Sequence, residues 1–94
     1  MFYKKIMNVG FAIRDEKKGC IIIGGIDDKF SLDSLDITGK NIIVKNSINE
    51  LVFQVKKIDI STSSAGKTNI GLILFDSVNF NKIRPGDEVL KVLE

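Results

Sequence analysis

The sequence predicts an all-β domain: a small, closed or nearly closed antiparallel β-barrel of six to seven strands. Three observations predict it. Short apolar runs rich in isoleucine and valine recur along the 94 residues, broken by glycine-, asparagine- or charge-rich segments. No long stretch spaces its apolar residues at a period near 3.6, so no amphipathic helix competes. The third is the stretch Gly19-Cys20-Ile21-Ile22-Ile23-Gly24-Gly25-Ile26, three β-branched residues entered through one glycine and left through two. Such side chains are stiff at χ1 and favour pleated backbone, so this run reads as a buried strand. Its glycines mark places where the chain bends or a neighbouring backbone comes close.

The remaining elements follow in order. Asn8–Arg14 is expected as a strand, with Val9, Phe11 and Ile13 alternating with smaller or polar neighbours. The five charges Arg14-Asp15-Glu16-Lys17-Lys18 then form a hairpin loop closing at Gly19. Residues 27–39 are irregular. Leu32 and Leu35 would share a face in a single helical turn capped by Asp28, and would equally serve as a plug in a loop over a barrel end. Asn41–Lys45 is a short strand, and Asn46–Asn49 a turn by composition.

Glu50–Ile60 is long for a strand and changes phase. Leu51, Phe53 and Val55 define one face while Ile58 and Ile60 fall on the other, which a β-bulge near Lys56-Lys57 would reconcile. A polar loop, Ser61–Thr68, leads to the nearly continuous apolar strand Asn69–Phe75. Val78 and Phe80 are expected to tuck inward from the following connection. Arg84-Pro85-Gly86-Asp87 suits a type II turn, and Glu88–Leu93 makes the last strand.

Composition narrows the function. Ninety-four residues describe one domain, 1–94, with the apolar and charged fractions, 44% and 28%, of an ordinary globular chain. A net charge of +2 permits a nucleic-acid partner without demanding one. One cysteine excludes an internal disulfide. The absence of histidine removes the commonest general base and the commonest transition-metal ligand. No apolar run approaches about 18 residues and the first residues lack the build of a leader, which point to the cytoplasm and away from a membrane. Cys20 reads as a buried structural thiol. Asp27, Asp28, Asp33 and Asp36 read as solvated carboxylates, since their spacing does not match a calcium loop. The expectation is no enzyme, no catalytic residue, no metal and no cofactor.

Three groups of residues, in order, carry a resemblance: Phe11, Gly19, Ile21-Ile22 and Gly24; then Ala65-Gly66 followed by Asn69-Ile70-Gly71-Leu72-Ile73-Leu74; then Ile83-Arg84-Pro85-Gly86-Asp87-Glu88-Val89-Leu90. Over about residues 8–93 the chain resembles the second, β-barrel domain of translational GTPases such as elongation factor Tu. The GTP-binding domain of that family has no counterpart here. Gly66-Lys67-Thr68 does not supply one, because Ser61 stands where a phosphate loop needs glycine and an apolar run follows instead of a helix. GTP is therefore not expected.

The family domain cradles the aminoacyl end of transfer RNA, and Phe11 and Asn69 match that pocket. Asn8 and Val9 replace its acidic pair and Ile23 replaces its threonine, so nothing remains to grip an α-amino group. What the resemblance implies instead is a stand-alone module docking on RNA or the ribosome through charged loops, with Arg14, Lys17, Lys18, Lys56, Lys57 and Lys67 as the contact residues. The alternative is a protein-interaction or assembly scaffold that forms a homodimer or caps a protein partner, with an exposed apolar patch near Phe2, Tyr3 or Phe80. Similar barrels occur in flavin-binding reductases, but nothing here resembles their phosphate or isoalloxazine contacts.

Overall fold

The computed structural model describes residues 2–25, 37–62 and 64–93. The turn or plug expected at Leu32 and Leu35 lies outside them. Seven strands run in chain order: β1 Phe2–Asn8, β2 Phe11–Asp15, β3 Gly19–Gly25, β4 Asn41–Lys45, β5 Glu50–Thr62, β6 Thr68–Leu74 and β7 Glu88–Leu93. A 3₁₀ turn, Val78–Lys82, precedes β7. The strands form one antiparallel sheet in the order β1-β7-β4-β5-β6-β3-β2.

The hydrogen-bonded ladder is open, with β1 and β2 as its edges. These edges are nevertheless consecutive in the chain, separated only by Val9 and Gly10. The backbone N–H of Val9 donates to the Asp87 carbonyl at 2.8 Å, and that of Gly86 donates to the Val9 carbonyl at 2.7 Å. One residue later the N–H of Gly10 donates to the Ile23 carbonyl, also at 2.8 Å. The chain thus leaves β7 and joins β3 in a single bend.

That bend corrects the expected strand Asn8–Arg14. Val9 is buried, but Phe11 and Ile13 are exposed, and Ala12 is the β2 residue that packs on the core. The corner resets the alternation, so counting every second residue across it fails. Strand β1 itself lacked a sequence signal. A register shift between Lys5 and Met7 lets the adjacent Ile6 and Met7 both face the core, which breaks a simple period of two.

Strand β5 behaves as its phase change predicts. The register against β6 slips between Val55 and Lys57; Phe53 and Val55 are buried before the slip, and Ile58 packs on the core after it. Ile60, opposite Ile70 and beyond the reach of β4, stays half exposed. Val78 is a second correction: it is exposed while Phe80 is buried, edge-on to Phe53 with centroids 6.5 Å apart. In a 3₁₀ turn only residues three apart share a face, so Phe80 facing in turns Val78 out. The Arg84–Asp87 turn forms as expected, with Gly86 at φ 93° and the Asp87 N–H donating to the Arg84 carbonyl.

The core takes Cys20 and Ile22 from β3, Ile42 and Val44 from β4, and Ile70, Leu72 and Leu74 from β6. Gly24 faces the same way, where β3 passes under the end of β1. A β-carbon there would sit 2.1 Å from the Asn8 carbonyl oxygen. The close backbone approach that the glycines suggested is real at this position.

Candidate nucleic-acid interface

Two lysine pairs from distant parts of the chain meet on the outer face of the sheet. The first pair is on the hairpin between β2 and β3. One Asp15 carboxylate oxygen accepts from the backbone N–H groups of Lys17, at 2.7 Å, and Lys18, at 3.0 Å. Gly19 closes the loop at φ 95°, a conformation that costs other residues dearly. These backbone bonds, with the neighbouring Lys18 charge, hold the Asp15 carboxyl below its ordinary pKa. The tip is therefore folded, with both lysine side chains exposed.

The second pair comes from the bulge in β5. Val55 faces the core opposite Leu74, yet Lys57 pairs with the outward-facing Ile73. One extra residue, Lys56, is accommodated between them, and both lysines are exposed. Ile73 lies between the two pairs, matched to Ile21 on one side and Lys57 on the other. Lys17, Lys18, Lys56, Lys57 and Ile73 line a cleft of about 170 Å³. The Lys57 ammonium is 3.8 Å from an Asp59 carboxylate oxygen; both groups are exposed, so the pair is weak. The Lys56 ammonium lies 5.9 Å from the centre of the Phe75 ring, within cation–π range.

A second hollow of about 180 Å³ continues along the same face. Lys18 and Ile73 belong to both, and Ile21, Ile23, Asp59, Ser61, Asn69 and Gly71 complete its walls. Phe11 is paired with Ile23 on this face and half exposed. The two pocket matches, Phe11 and Asn69, therefore share one surface. The residues at the acidic-pair positions do not serve it. The Asn8 amide donates to the Gly86 carbonyl at 3.1 Å, and Val9 is in the core.

The other sequence candidates lie elsewhere. Arg14 is ion-paired with Asp76, and its guanidinium sits 5.5 Å from the centre of the Phe80 ring, so its charge is engaged within the fold. Lys67 is in the β5–β6 loop, about 20 Å along β6 from Ile73 at ~3.4 Å per residue. Phe80 is buried and offers no exposed patch, while Tyr3 is partly exposed. Ile73 and Phe75 were missed as site residues. Part of the signal was available, because alternation along β6 sends Ile70, Leu72 and Leu74 into the core and turns Gly71, Ile73 and, just past the strand, Phe75 to the other face. Ile73 is nonetheless covered there, at 6% exposure, while Phe75 is 47% exposed.

Cys20 is fully buried, as its place in the apolar run suggested. Its sulfur lies 3.5 Å from an Asp76 carboxylate oxygen, and burial pushes the thiol pKa up, away from a reactive thiolate. Among the described residues no group of three His, Cys, Asp or Glu side chains is placed to hold a metal ion. None of their helices is long and apolar enough to cross a membrane. Comparison with family models, curated proteins and solved structures gave no match.

Proposed function

We propose that this chain is a non-catalytic binding module of the translation-factor second-domain kind that docks on RNA or a ribonucleoprotein surface through its charged loops. The observation that carries the proposal is the meeting of Lys17-Lys18 with Lys56-Lys57 around one cleft. Four lysines lining one cleft concentrate positive charge, to which an anion with regularly spaced charges is drawn. Two further features support it. The edges of the sheet are joined through Val9-Gly10, as a barrel requires. Phe11 and Asn69, the two matches to the aminoacyl pocket of the family the chain resembles, share one face. No GTP, cofactor or catalytic group enters the proposal.

The test is association with ribosomes and with a structured RNA as salt rises from about 50 to 200 mM. Four neutralised phosphates give a slope near −3.6 in log K against log salt, about 150-fold over that range. Replacing Lys17, Lys18, Lys56 and Lys57 by glutamine should remove the binding and its salt dependence together. No salt-sensitive association at low ionic strength would overturn the proposal.

A further inference from the structure

The lysine cleft has an apolar floor, and a phosphate backbone alone has no use for one. Alternation along β6 places Ile73 and Phe75 on the outer face, and Phe75 is 47% exposed. Next to Ile73 in the sheet lies Ile21, followed by Ile13 on the edge strand, itself 45% exposed. Gly71 keeps the neighbouring hollow open. The nearest atoms a β-carbon there would meet are on Asp59, at 3.8 Å. The face thus joins an exposed aromatic ring, an aliphatic strip that is exposed at Ile13 and covered at Ile73, and four lysines.

Resting on the RNA proposal above, we infer that the ligand is single-stranded RNA, with a base stacked on Phe75 and its flanking phosphates held by Lys17, Lys18, Lys56 and Lys57. A regular duplex presents phosphates and sugars while its bases stay stacked inside, so it would meet the lysines and leave the exposed Phe75 ring against water. An unpaired nucleotide supplies both parts at once. Its base covers the ring, and every base has a π-face, so the contact tolerates sequence. The base takes the place over the ring that the Lys56 ammonium holds at 5.9 Å from its centre, and the flexible lysine swings aside to meet the flanking phosphate. The Asp15 carboxylate stays ionised, but its oxygen is bound to the Lys17 and Lys18 backbone N–H groups and not to their side chains, which leaves both ammonium groups to the phosphates.

The experiment compares a fluorescent oligouridylate of about twelve nucleotides with an RNA duplex of the same length, by anisotropy at about 50 mM salt. Wild-type protein should bind the single strand at least about tenfold more tightly. Phe75→Leu keeps apolar cover but removes the ring. It should weaken the single strand about tenfold and the duplex much less. Phe75→Trp should match or exceed wild type. Equal affinity for both RNAs, with Phe75→Leu inert or Phe75→Trp no better than Phe75→Leu, would overturn the single-strand inference while leaving RNA binding intact. Failure to bind either RNA would overturn both, as would tighter binding to phosphatidylserine vesicles than to either RNA.

Discussion

Gly24→Ala isolates the tightest contact in the fold. The added β-carbon would lie 2.1 Å from the Asn8 carbonyl oxygen, 3.1 Å from the Met7 sulfur and 3.3 Å from the Asn8 carbonyl carbon. The first contact is with backbone, which cannot swing aside as a long side chain does. Carbon and oxygen need about 1 Å more, so the end of β1 must lift off β3. That lift disturbs the Gly10–Ile23 hydrogen bond next to it, worth about 1 kcal/mol, and adds about 2 kcal/mol of overpacking strain. A loss of about 3 kcal/mol would lower the melting temperature of a domain this size by roughly 15–20 °C. Gly71→Ala is the control. Its nearest contacts, at 3.8 Å, are ordinary, and replacing glycine inside a strand lowers the entropy lost on folding. Calorimetry of the two variants should show a large fall for the first and a change within about 3 °C for the second. If Gly24→Ala melted within about 3 °C of wild type, the argument for a sterically locked crossing would be refuted.

Two more predictions concern carboxylates. Asp87 is buried, and one of its oxygens accepts from the Arg84 backbone N–H at 3.0 Å and the Asn46 amide at 3.2 Å. Asp87→Ala should cost about 1–3 kcal/mol in urea unfolding, with Asp87→Asn milder because an acceptor remains. At Asp76, the bond from Arg14 and then that from Cys20 lower the folded-state pKa. The stabilisation is therefore present above the unfolded value near ~3.9 and lost as pH falls through the folded value. Wild type should be more stable than Asp76→Asn at about pH 6, with the gap shrinking as pH falls below the unfolded value, and a gap unchanged on acidification would count against the pairing.

Much of this fold was legible because β-strand signals are local. The apolar runs at Gly19–Gly25, Asn41–Lys45 and Thr68–Leu74 are strands within a residue of where composition placed them. Pro85-Gly86 fixed a turn whose geometry leaves few alternatives. The failures share a physical cause. Val9, Phe11 and Ile13 do not share a face and Val78 does not join Phe80 in the core, because a corner and a 3₁₀ turn each break the period of two. β1 escaped notice because its inward residues, Ile6 and Met7, are adjacent. In the site, the lysine pairs were named but not their meeting. That meeting depends on β6 lying between β3 and β5, a nonlocal pairing no single segment encodes.

The bulge in β5 joins the two problems. In an unbroken strand adjacent residues point to opposite faces, so Lys56 and Lys57 could not both be exposed while Val55 and Ile58 both met the core. Burying one ammonium without a partner costs far more than the loss of regular pairing at one residue. The sequence Val-Lys-Lys-Ile therefore requires an extra residue at this point, and the register slips there. The same slip sets two positive charges side by side on the outer face, opposite Ile73 and within reach of the hairpin carrying Lys17 and Lys18. An irregularity forced by hydrophobic phase thus creates the charge density on which the proposed RNA contact depends. Changes that regularise β5 should therefore weaken the site even if every lysine is retained.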